Sequence, residues 1–157
     1  MTEGLRRVFL DWPWIYRGVR SGLAILFLYA GAVKLLGPRA FARVISGYGL
    51  VPDEWLVLVA VGLPVLEVLA GVGLLFDVRG SLPAVFGMLV LFLGVLGFGI
   101  LNQLDVDCGC FSPDELQAQG RLRAAFLRDV GLLGCTAYLF YWRRRRARLH
   151  RPAVSLV

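Results

Sequence analysis

An all-α fold is predicted, a four-helix transmembrane bundle with a short surface helix in each outer loop. Three observations predict it. Of 157 residues, 58% are hydrophobic, more than a soluble domain of this size usually carries. Apolar runs of roughly 20 residues recur along the chain, the length needed to cross a bilayer as a helix. The basic residues collect beside those runs, as topology-setting charges do, and form no patch interleaved with base-stacking residues. A net charge of +6 therefore points to a lipid bilayer as the partner and excludes nucleic acid.

Residues 1–17 read as an interfacial segment, with Trp12, Trp14 and Tyr16 beside Arg6, Arg7 and Arg17 and with Pro13 interrupting them. Amphipathic rings next to arginine suit the headgroup layer. Arg6-Arg7 ahead of an apolar run resembles a signal peptide, but the basic region is long and the run approaches a full span, so a retained helix is expected.

The first span, residues 18–36, ends at Gly37-Pro38. Lys34 lies one turn from its exit, where it either snorkels to the interface or serves a paired site. In residues 39–54, Phe41, Val44, Ile45 and Tyr48 alternate with Arg39 and Arg43 at the spacing of a short surface helix. Gly49 and Pro52 close it, leaving a lid or collar beside the membrane exit.

The second span, residues 55–76, contains Pro64 and Glu67. Proline frees a carbonyl one turn earlier. An ionisable group inside a span costs about 2.5–3.5 kcal/mol on insertion scales, so Glu67 is expected to face a partner, a cavity or a ligand, with Lys34 as a candidate cation. The third span, residues 81–101, is uncharged, and its Gly87, Gly94, Gly97 and Gly99 suggest close helix packing.

Residues 102–123 form a polar loop in which Asp105-Val106-Asp107 leads into Cys108-Gly109-Cys110-Phe111. Ser112-Pro113-Asp114-Glu115 carries the signature of a helix start, giving a short helix over 113–119. The fourth span, residues 124–142, is interrupted near its start by Arg128 and Asp129. Tyr138, Tyr141 and Trp142 suit an aromatic belt at its end, and Cys135 reads as a small packing residue. Residues 143–157 are a basic tail that includes the single histidine, His150.

With four spans, both termini share a side, and that side receives eleven of the seventeen lysines and arginines. The positive-inside rule makes it cytoplasmic. The Cys108-Cys110 loop then faces the periplasm of a bacterial inner membrane, a compartment that permits disulfides.

A disulfide between residues two apart closes a small ring in which Gly109 best takes the turn. Such a strained bond is an exchangeable intermediate more than a staple. Soft-metal binding by the same two thiolates, for handling or transport, is the competing chemistry.

Ala30-Gly31-Ala32-Val33-Lys34-Leu35 before Pro38, Leu63-Pro64-Val65-Leu66-Glu67 before Gly71, and Asp107-Cys108-Gly109-Cys110-Phe111 together resemble the MauE branch of the DoxX-like membrane proteins, over residues 18–142. The resemblance implies a four-helix membrane protein engaged in periplasmic thiol–disulfide chemistry. In the namesake system the partner is thioredoxin-like and a disulfide-rich enzyme is matured. The chain departs from the family pattern at Ser112, where glycine is frequent, and at Arg128-Asp129, where Arg-Asn is frequent.

The expected function is thus thiol–disulfide exchange by Cys108 and Cys110 with a periplasmic thioredoxin-like protein. Gly109, Phe111, Lys34, Glu67, Pro64, Arg128 and Asp129 would be the supporting residues, with a quinone as a candidate cofactor near Lys34 and Glu67. Soft-metal handling and a non-catalytic assembly role are the alternatives.

Overall fold

The computed structural model describes residues 13–102 and 118–149. Side chains are described for 13–102 and 122–146. Among these residues the chain is all-helical, with α1 (Pro13–Leu36), α2 (Pro38–Gly47), α3 (Asp53–Leu75), α4 (Ser81–Leu101) and α5 (Ala118–Leu149). The three helices α1, α3 and α4 are long and apolar enough to cross a membrane. The fourth expected span lies within α5, which carries Arg128 and Asp129 in its body and four consecutive arginines from Arg143. Of the two expected surface helices, α2 is described, whereas Cys108–Phe111 and the short helix expected over 113–119 fall largely or wholly outside the described residues, as does His150.

Two boundaries depart from the sequence expectation. The chain is already helical at Pro13, where residues 1–17 suggest an interfacial lead-in. Proline is tolerated in a first helical turn because the missing N–H would have no partner there. Tyr16, expected among headgroups, is buried in the main core and stacks on Trp142 at 4.0 Å between ring centroids. Helix α5 likewise runs past both limits of residues 124–142. Arginine is a good helix former, so a change from apolar to basic composition does not end a helix.

The buried positions of α3 are Ala60, Pro64, Glu67, Ala70, Gly71 and Leu74, one stripe at helical spacing. Leu58, Leu66 and Leu69 on its other faces are exposed. A helix that leaves large apolar residues uncovered along its outer faces suits a lipid surround.

Helices α1 and α3 make the tightest seam. A Cβ on Gly31 would lie 2.9 Å from the Pro64 carbonyl oxygen, and one on Gly71 would lie 3.0 Å from that of Ala24. These two glycines allow the backbones to approach. The expectation for α4 is corrected at Gly87 and Gly94, where nothing lies within 4 Å of an added Cβ; only Gly99 is closely covered, by the Tyr48 ring.

Turns follow local chemistry. Gly49 takes the left-handed conformation (φ +64°) after α2. Asp77 takes it (φ +58°) after α3, where Val78 N–H bonds to Gly73 and Asp77 N–H to Leu74 in a Schellman arrangement.

Candidate functional site

Lys34 and Glu67 occupy the last and middle parts of the buried stripes of α1 and α3. In helices every side chain leans toward the amino end. In this antiparallel pair Lys34 and Glu67 therefore lean toward each other, and Gly31, one turn earlier, brings the backbones within reach. The Lys34 Nζ donates to Glu67 Oε1 at 2.5 Å. Lys34 is 3% exposed and Glu67 1%.

Lys34 is therefore no snorkelling anchor. Although two residues from the end of α1, it lies at the level of Phe92, near the midpoint of α4, whose ring centroid is 4.9 Å from Nζ. Phe41 of α2 covers it from another side at 5.2 Å. Helix α2 and the first turns of α3 pack together beyond the end of α1 and cover Lys34, whereas Leu36 remains exposed.

Asp129 completes the cluster from α5. It is 3% exposed and accepts from Arg128 Nε and from an Arg128 terminal nitrogen, each at 3.1 Å. It is also close enough to Lys34 to feel its charge. Two cations and two carboxylates thus meet, three of them buried and Arg128 partly exposed. A void of about 20 Å³ beside all four side chains has room for one water. Glu67 Oε2 is buried with no hydrogen-bond partner among the described residues.

A larger cavity of about 340 Å³ lies between α2, α3 and α4, with Lys34 and Asp129 on its inner wall. Its other walls are apolar, formed by Val59 and Leu63 of α3, Leu91 and Val95 of α4, and Val44 and Ile45 of α2 among others.

At the opposite end of α1, Asp77 accepts from the Tyr16 hydroxyl at 3.1 Å, pairs with Arg20 at 3.1 Å and pairs with Arg143. Partial burial pushes its carboxyl up, but Arg143, the Tyr16 hydroxyl and Arg20 together hold it below the ordinary carboxylate value.

The structure brings Lys34, Pro64, Glu67, Arg128 and Asp129 into one neighbourhood. Cys108, Gly109, Cys110 and Phe111 lie outside the described residues. Cys135 is a free, partly buried thiol packed on the main core. Sequence reasoning missed Phe41 and Phe92 over the ammonium, Asp129 as Lys34's second anionic neighbour, and the whole Asp77 network. Charge balance was an available signal for Asp129, because charges inside apolar runs must neutralise one another.

Among the described residues these features define an all-helical protein with membrane-length helices and a largely buried, four-charge centre. The model of a family described as methylamine utilisation protein MauE matches residues 12–142, so the chain belongs to the MauE family. It is 33% identical over 106 residues to methylamine utilization protein MauE of Paracoccus denitrificans, covering 66% of this chain and 57% of that protein. To the Paracoccus versutus protein of the same name it is 36% identical over 107 residues, covering 65% and 56%. The chain thus matches a little over half the length of these curated relatives. No solved structure matches it.

Proposed function

We propose that this chain is an integral inner-membrane protein that exchanges thiols and disulfides through Cys108 and Cys110 with a thioredoxin-like protein of the periplasm. In this reading α5 supplies a fourth span, both termini are cytoplasmic, and the chain is a MauE branch of the DoxX-like proteins. The names of its relatives support methylamine utilisation as the process it serves.

One observation carries the reading. Helices α4 and α5 flank the cysteine segment, and their other ends lie by the Asp77 cluster: Ser81 of α4 bonds to Val78, next in the chain to Asp77, and Trp142 and Arg143 of α5 contact Tyr16 and Asp77. The described helix ends that border the cysteine segment, Leu101 of α4 and Ala118 of α5, are therefore the ends remote from Arg143–Arg146, which supports a cysteine segment on the side away from the arginines. Charge bias assigns that remote end to the periplasm, where a thiol pair can be oxidised.

The test is to trap the redox state of periplasmic thioredoxin-like proteins in cells carrying Cys108→Ser or Cys110→Ser, alongside labelling of Cys108 by a membrane-impermeant thiol reagent. A shifted partner redox state in both variants and labelling from outside are expected. An unaltered partner in both, or labelling only after the membrane is opened, ends the proposal.

A further inference from the structure

The cavity of about 340 Å³ beside Lys34 is the size of a small-molecule site. Its chemistry is lopsided. Apolar side chains line it except at one end, where Lys34 and Asp129 stand, with the Tyr48 side chain also on its wall. A ligand that fills it must be lipophilic over most of its length and polar at a single tip.

The charges specify that tip further. Among the described residues Lys34 and Arg128 balance Glu67 and Asp129, so an ionised head would add a charge with no counter-ion among them to a largely buried site, at a cost that ion pairs there rarely repay. A neutral head adds none. The Lys34 ammonium has three protons, and among the described residues one of its hydrogen bonds is made, to Glu67. Its other near neighbours are the Phe41 and Phe92 rings, whose faces attract the cation but accept no conventional hydrogen bond, and Asp129, which accepts its hydrogen bonds from Arg128. A buried donor with unused capacity calls for an acceptor.

We infer that this cavity binds a neutral, lipid-soluble carbonyl compound, its carbonyl oxygen accepting from Lys34 Nζ and its apolar body lying among Leu63, Leu91 and Val95. Quinones carry that chemistry, and so do the ester carbonyls of neutral glycerolipids. Phe92, at the cavity wall and over the ammonium, is placed to pack on a flat head. The inference concerns binding alone and is independent of the cysteine reading.

The experiment is calorimetric titration of the full chain, reconstituted in nanodiscs, with three probes: a short-tail benzoquinone, a diacylglycerol and a fatty acid held above its pKa. Saturable binding of one of the neutral probes is expected, and which of the two binds tells the source. Val95→Trp fills the cavity without touching the charges and should weaken binding by roughly tenfold or more. The double variant Lys34→Met with Glu67→Met removes the donor and its partner together and should weaken it by roughly tenfold, the worth of a charge-assisted hydrogen bond. Cys108→Ser with Cys110→Ser should leave binding unaltered, so that a failure of the thiol proposal is read separately. Absence of saturable binding by both neutral probes, equal affinity in Val95→Trp, or a preference for the ionised fatty acid overturns the inference.

Discussion

Two polar clusters sit near opposite ends of α1, and they are built on different principles. Around Asp77, three donors converge on one carboxylate that remains 45% exposed. Around Lys34, two cations meet two carboxylates, three of the four side chains all but sealed from solvent. The wet cluster resembles a clamp: it joins α1, the α3–α4 turn and α5, and water shares the task of solvating it. The dry cluster has no such help, and an apolar replacement of similar volume would usually serve stability as well or better. A chain that spends two ion pairs at mid-helix depth, beside a cavity, has placed them where a ligand or a proton can use them.

The largest effect that can break this contrast comes from Lys34→Met, which strands Glu67 beside an already paired Asp129. A loss of about 3–5 kcal/mol is expected, measured by denaturant unfolding in detergent. Lys34→Met with Glu67→Met should recover most of it. If the double variant is as damaged as the single one, the pair is a structural necessity and the contrast with Asp77 fails.

The seam that presents the pair is tested next. In Gly31→Ala the new Cβ meets the Pro64 carbonyl at 2.9 Å, and backbone cannot move aside cheaply. A loss of about 1–3 kcal/mol is expected from overpacking. Gly87→Ala, with nothing within 4 Å, should be neutral or stabilising by up to about 1 kcal/mol. The same unfolding measurement ranks the two, and equal losses would contradict the packing described.

The smallest effect belongs to the wet cluster. Asp77→Asn should cost about 1 kcal/mol or less, because a half-exposed carboxylate is screened by solvent. The sign of its pH dependence is set by its lowered native pKa. The stabilisation is present above the ordinary unfolded value of about 3.9 and is lost as pH falls through the native one. Wild type should therefore lose stability relative to Asp77→Asn on acidification below about pH 4. Raising salt to about 1 M should shrink the Asp77 contribution while leaving the Lys34–Glu67 coupling nearly intact. A salt response shared equally by both clusters would erase the distinction.

Much of the architecture is legible along the chain, element by element. Gly37-Pro38 marks the break between α1 and α2 because proline disfavours helix in the residue before it, and Gly49 marks the end of α2 because it takes a positive φ without strain. Ser81 to Leu101 shows as an uninterrupted apolar run. Less legible is the fate of residues whose neighbours come from elsewhere. Tyr16 carries every local sign of an interfacial ring, yet Trp142, far along the chain, covers it. Gly31 and Gly87 look alike in sequence, and only the partner helix distinguishes them.

The chain by itself determined its helical class, the three membrane-length apolar helices and the family to which it belongs, because hydropathy, turn residues and short motifs act locally. Tertiary structure decided that Lys34, apparently near an exit, lies at mid-depth facing Glu67 and within the field of Asp129. The reason is geometric: α2 and the start of α3 continue past the end of α1, so depth is set by the neighbouring helices and not by distance from a helix end.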